Sequence, residues 1–325
     1  MAVQIERRAQ EFLKQDYFRR NAFLIINKMV DMSSGGPSVL LDEVLHSIFF
    51  LGKIHRPPYP QDKIVSDGEI LEGLQTVYPQ PFDFYLTQVP KRSPLSCVLD
   101  MIVHLTRQET EEEEESKIID RLQVLICSLK ENEATDLISS TICVSQNKRI
   151  PDSVRYYGVS MSTSGRVPGR IMVAASCLST WDSYVAGAVM TYYPRKVKEY
   201  FDGTTQLQEL VRCQAFSLSH NREMDPCKSC ENMFGLKTEK ETEEKKKEWA
   251  YGNCAEVESL SKLLKNEKEV REQARPTSET YTEEKRKETE ESLKKTLKTL
   301  LRMMGFTCWD DEFYTPKQPD RSLLM

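Results

Sequence analysis

Two short cysteine runs, DPCKSC at 225–230 and NCAE at 253–256, constrain this chain more than any other feature; an almost wholly charged stretch lies between them. Each run carries residues that start helices. Asp225 and Pro226 suit an N-cap and a first helical position, and Asn253 suits the cap before Cys254. The pattern predicts Cys227 and Cys230 in the first turn of one helix and Cys254 at the first position of another. Free N–H groups and the helix dipole favour thiolates there, and three thiolates presented by two helix starts can converge on one tetrahedral metal ion. A fold that achieves this must set two helix N-termini side by side.

The flanking pattern says what delivers them. LVRCQAFSLSH at 210–220 reads as a buried strand running straight into the first cysteine pair. SVRYYGVSMS and RIMVAASCLS flank the turn TSGRVPG and predict a β-hairpin over 154–178. WDSYVAGAVMTYYPRKVKEYF fits a buried helix or a strand. Before about residue 145 the periodicity is helical: RRNAFLIINKMVDM ahead of the SGGP break at 34–37, SVLLDEVLHSIFFLG ending at Gly52, the capped DGEILEGLQTVY, SPLSCVLDMIVHLTRQ, and KIIDRLQVLICSLK after the acidic run Glu111–Glu115. Between the second and third of these, HRPPYPQDK reads as a rigid loop. Near the end, Leu293, Leu297, Leu300, Leu301 and Met304 form one apolar stripe closed by Gly305. The expected fold class is α+β, with a mainly helical region at 1–148 and a second, metal-binding domain at 149–325.

Composition narrows the function classes. With 325 residues and 39% apolar content the chain can bury a sizeable core, and 45 basic against 50 acidic side chains give no overall positive field. Nine cysteines at irregular spacing fit reduced thiols or metal ligands better than a secreted disulfide framework. The opening MAVQIERRAQEFLKQ puts charges where a signal peptide needs an apolar core, and no run reaches the ~20 apolar residues of a membrane span. The expectation is a soluble, intracellular protein, cytoplasmic or nuclear, with no membrane partner.

DPCKSC resembles the P-C-x-x-C half of the zinc-dependent cytidine deaminase superfamily, and CAE resembles its H/C-x-E half. The resemblance covers about 60 residues around the two motifs. It implies an α/β/α zinc domain with a mixed sheet that opens with two antiparallel strands. It further implies a zinc cofactor held by Cys227, Cys230 and Cys254, and Glu256 as the proton shuttle that approaches the metal without binding it. The implied activity is hydrolytic loss of ammonia from a nucleobase, with a nucleoside, nucleotide or single-stranded nucleic acid as partner. The chain presents the two motifs in the reverse of the family's order, so the site helices would be permuted. No His-x-Glu or Cys-x-Glu occurs upstream of the pair.

Plainer readings stand beside this one. Asn253-Cys254-Ala255-Glu256 is also a capping box, with Glu256 bonding back to the Asn253 N–H. A fourth protein ligand would close the zinc site and make it structural, in a non-catalytic interaction protein whose helical region binds other proteins. Cys213, His220 and Cys308 are the candidates for that corner, at most one of Cys213 and His220 being in reach. His46 and His104 read as ordinary buried or half-buried residues, and Cys97, Cys127 and Cys143 as small apolar side chains. Trp249 and Tyr251 fit either base stacking or a hydrophobic staple before the helix.

Overall fold

In the computed structural model, described for residues 16–109, 114–130, 135–237 and 246–318, seven helices precede the first strand. They are α1 (Tyr17–Ser33), α2 (Ser38–Lys53), α3 (Gln61–Ile64), α4 (Gly68–Val77), α5 (Pro79–Phe84), α6 (Pro94–Glu109) and α7 (Glu114–Leu129). The opening segment 1–15, residues 111–113 of the acidic run and residues 238–245 of the charged stretch lie outside the described residues. Local rules account for the helix starts. Asp16 caps α1 by accepting from the Arg19 N–H, and Asp67 caps α4 by accepting from the Glu69 and Ile70 N–H groups. Helix α2 is buried on all sides from Leu41 to Gly52, which makes it the axis of the helical part.

Four strands follow: β1 (Thr141–Asn147), β2 (Tyr156–Val159), β3 (Val211–Ser217) and β4 (Arg222–Met224), in the order β2-β1-β3-β4. Every pairing among them is antiparallel, so the mixed sheet expected from the resemblance is not what forms. The sheet does open with two antiparallel strands, but these are β1 and β2. RIMVAASCLS is instead the body of helix α8 (Arg166–Ser179). Pro168 is tolerated in its first turn, and Ile171, Met172, Ala174, Ala175 and Cys177 bury at helical spacing, so tertiary packing overrides the local β-branched signal. The next segment forms α9 (Ser183–Met190), capped by Asp182. The strand expected in LVRCQAFSLSH is β3. Strand β1 falls on the helical side of residue 148, and the buried residues from Phe18 to Phe306 form one continuous core across that point.

The remaining helices are α10 (Lys228–Phe234), α11 (Ala255–Asn266), α12 (Lys268–Gln273) and α13 (Glu283–Met303). In α13 the stripe Leu293, Leu297, Leu300 and Leu301 is buried, Met304 is half-buried and Gly305 turns the chain at φ 78°. Helix α11 lies across β1 and β2. Gly158 of β2 makes this approach possible: a Cβ there would stand 2.4 Å from the Ser259 nitrogen and 2.5 Å from the Ala255 carbonyl oxygen. On the same sheet face Ser145 and Ser259 share a hydroxyl hydrogen bond of 2.8 Å.

The helical part grips α11 from its other side through charges that are buried or half-buried. Lys262 pairs with Asp100 at 2.6 Å and with Glu258 at 2.8 Å. Arg92 pairs with Asp100 and, at 2.8 Å, with Glu43. Glu258 accepts from the Ser96 hydroxyl at 3.0 Å and from the Val159 N–H at 3.1 Å. Removing one partner from such a set leaves a partly buried charge uncompensated, at a cost of up to about 3–5 kcal/mol.

His46 and His104 are a buried and a half-buried residue, as expected; Cys97 and Cys143 are buried, but Cys127 is exposed on α7. The His46 ring stacks on Tyr314, with centroids 3.7 Å apart, and burial lowers its pKa from 6.5 to about 3. The unfolded chain protonates this histidine below 6.5 while the folded chain does not, so its contribution to stability is lost as pH falls from 6.5 towards 3. Asp42, raised from 3.8 to about 6 chiefly by burial, acts in the opposite direction over 3.8 to 6 with a smaller shift. Glu256, raised to about 7, acts in the same direction as Asp42, so the clean readout is the difference between proteins: between pH 6 and 4 the melting temperature of His46→Phe, which keeps the stack, should rise relative to that of the parent on acidification. Equal slopes in parent and variant would contradict the assignment.

Candidate metal centre

Cys227, Cys230 and Cys254 come together as expected, their sulfurs all within 4.8 Å of one another and those of Cys227 and Cys254 3.5 Å apart. A tetrahedral ion with bonds of about 2.3 Å to sulfur needs pairs at roughly 3.5 to 4 Å, so this donor set fits a thiophilic metal ion with little adjustment. Among the described residues no further His, Cys, Asp or Glu joins the group. His220 is exposed on the turn after β3, its ring 3.2 Å from the Ser217 hydroxyl, and Cys308 is exposed beside Thr307. Cys213 faces Cys143 across the sheet, with the sulfurs 3.5 Å apart.

The helix starts differ from the sequence expectation by one or two residues, with a chemical consequence. Residues 225 and 226 lie outside both β4 and the helix, and Cys227 itself is the N-cap of α10 (φ −74°, ψ 168°). Cap and third position sit over each other in a helix start, so Cys227 and Cys230 are brought together by the geometry that normally aims a capping oxygen at an N–H. Cys254 likewise caps α11 (φ −76°, ψ 147°), leaving Asn253 one residue outside the helix. Glu256 is thus the second helical residue and not the third, and the capping box with Asn253 does not form. The Asn253 N–H is used elsewhere, donating to the Ala250 carbonyl at 3.1 Å, and the Asn253 carbonyl accepts from the Met161 N–H at 2.8 Å.

Electrostatically the three thiols share one negative charge. Hydrogen bonds from the Cys230 and Cys254 thiols, joined by the Cys230 and Ser229 backbone N–H groups, lower the Cys227 pKa to about 2 against its burial. Cys230 and Cys254 are both pushed well above the ordinary thiol range, mainly because each serves the Cys227 sulfur as a hydrogen-bond partner. A divalent cation at the centre would supply the charge that lets all three ionise. Glu256 is buried beside the cluster without joining it. Burial raises its pKa to about 7, with its own backbone N–H opposing the shift.

One side of the cluster opens into a cavity of about 730 Å³ lined in part by Thr141, Met161, Arg222, Trp249, Asn253 and Glu256. The two aromatic residues before α11 have separate fates. Tyr251 stacks on Tyr192 at 4.3 Å and bonds to Glu248 and Asn232, so it belongs to the framework. Trp249 stands at the cavity wall, 49% exposed. The sequence reading missed the proximity of the Cys143–Cys213 pair and of Glu258 to this region. Cys143 and Ala215 pack on Ala255 in the first turn of α11, and no spacing signal announces a contact made across two strands.

No family model, curated protein or solved structure matches this chain. The likeness to the deaminases rests on the motif residues alone.

Protein prepared without chelator should carry about one metal equivalent per chain, and Cys227→Ser, Cys230→Ser and Cys254→Ser should each lose most of it. Elemental analysis beside melting curves checks this. A folded, metal-free parent would contradict it.

Proposed function

We propose that this protein is a zinc-dependent hydrolytic deaminase acting on the base of a nucleoside, nucleotide or nucleic acid. The observation that carries the reading is the position of Glu256: a buried carboxyl next to three clustered cysteines, on the wall of an open cavity, and outside the ligand set. A closed structural site would have no use for a buried ionisable group at that point, and burying one is costly. A hydrolytic site has a use for it, because a carboxyl held beside the bound water can relay its proton.

In this reading Cys227, Cys230 and Cys254 hold zinc and leave its fourth position facing the cavity. The bound ion would act as a Lewis acid and lower the pKa of a water molecule. Glu256 has two tasks. It accepts a proton from the water whose oxygen adds to the ring carbon bearing the amino group, then delivers a proton to the amino nitrogen as the carbon–nitrogen bond breaks. The balance is one water consumed, one carbonyl formed and one ammonia released. The Glu256 backbone N–H holds the carboxylate near its own helix start, and the dipole of α11 favours its ionised form after each delivery.

The order of the two motifs does not weigh against this chemistry. An ion is indifferent to which thiolate comes first in the chain, and α10 and α11 bring their starts together all the same. The alternative, a structural zinc in an interaction protein, needs a fourth protein ligand, and neither His220 nor Cys308 is near enough to be one in this structure.

Glu256→Gln should keep metal content and melting temperature while lowering ammonia release from an amino-bearing base by about 100- to 10,000-fold. A screen of cytidine- and adenosine-type substrates with coupled ammonia detection measures it. Equal turnover in variant and parent would refute the role of Glu256.

A further inference from the structure

We propose that the mouth of the cavity is built for a single-stranded nucleic acid, with Arg222 and Lys247 taking backbone phosphates and Trp249 stacking on a base. The inference rests on the deaminase reading only for what happens to a bound base; the binding surface is argued from its own residues.

A site for a free nucleoside typically encloses most of its ligand within a largely pre-formed pocket. Here one cavity is lined both by the buried Glu256 and by residues of the exposed strand β4, and its volume of about 730 Å³ leaves room for more than one base. The indole of Trp249 is 49% exposed beside it, an exposure that a core or staple role does not require. The Lys247 ammonium lies 3.8 Å from the centre of that ring. A flat aromatic surface with a cation against it is the element from which sequence-tolerant single-strand platforms are built, because every base offers a π-face and every nucleotide a phosphate.

The cations at the mouth are not consumed by the fold. Among the described residues Arg222 has neither an ion pair nor a side-chain hydrogen bond, and Lys247 has only its ring contact. Lys246 is different, since it is paired with Glu231 at 3.4 Å. Asp225 is the surface acid of the same lining, and Glu256 lies at the floor. The same lining includes the hydroxyls of Ser140, Thr141 and Ser160, suited to sugar and phosphate oxygens. A chain with a net charge of −5 has no general attraction for polyanions, so binding must come from this local set.

The test measures binding without turnover. Zinc-loaded Glu256→Gln protein is titrated with 5′-fluorescein-labelled single strands of mixed sequence, DNA and RNA, about 15 nucleotides long, and fluorescence anisotropy is followed over a range of salt; unlabelled CMP and AMP serve as competitors. The expected result is binding of at least one strand type far tighter than that of the mononucleotides. Arg222→Ala with Lys247→Ala should reduce the slope of log affinity against log salt by about 1.4, the loss of two phosphate contacts at about 0.7 each. Trp249→Ala should weaken binding by about tenfold or more, and Trp249→Phe should retain most of it. Strands that bind no better than mononucleotides, or binding unmoved by these substitutions, would overturn the proposal. The two readings fail separately. Turnover of a mononucleoside without strand binding removes this inference and leaves the deaminase; strand binding that depends on Arg222, Lys247 and Trp249, with no ammonia released by the parent, supports this inference and removes the deaminase.

Discussion

The arrangement depends on how closely α11 is pressed against the sheet. Its first turn carries Cys254 and Glu256, and it reaches β2 only because Gly158 has no side chain. On the sheet side the contact is hydroxyl and small-residue packing, Ser145 on Ser259 and Cys143 with Ala215 on Ala255. On the other side are the half-buried Lys262 and the buried Glu258 and the residues that answer them, Asp100, Ser96 and Arg92. Buried ion pairs of this kind contribute little net stability beside an apolar core, but they penalise a shift in register strongly. The long helical segment thereby acts as the brace for a site it does not line.

A helix fixed from two sides can hold a reactive cluster that is unfavourable on its own. Three sulfurs within 4.8 Å leave room for only one negative charge, and that charge settles on Cys227, where two thiols and two backbone amides converge. The same crowding that raises the Cys230 and Cys254 pKa values in the absence of a cation is what a cation relieves. Placing Glu256 one step into the helix keeps its carboxyl at the edge of this field instead of within it.

Much of this could be read in the residues, and the rest fails for identifiable reasons. The long helices and the stripe on α13 follow from apolar periodicity, and β3 from its strand-like run beside a turn. The convergence of the three cysteines was legible because helix-start residues flank them. The cap positions were not: Asp225 and Asn253 are better caps by propensity than cysteine, yet residue 225 follows directly on β4, outside the helix, and the Asn253 carbonyl is committed to Met161. Helix α8 reads as a strand because Ile171, Met172 and Val173 are adjacent, and only its packing against α13 and α9 decides otherwise. Strand β1 is buried along almost its whole length, so it shows no alternation to read. The bond from Ser96 to Glu258 and the pair of Lys262 with Asp100 span 162 positions, beyond any local pattern.

The central claim is that three thiolates hold one zinc ion whose fourth position is open to the cavity beside Glu256. X-ray absorption at the zinc edge of the metal-loaded protein tests it most directly, because sulfur and the lighter donors scatter differently. The account predicts three sulfur neighbours at about 2.3 Å and one oxygen at about 2.0 Å, the oxygen being replaced when a small exogenous ligand is added. A shell of four sulfurs, or of three sulfurs and an imidazole nitrogen that no added ligand displaces, would contradict it.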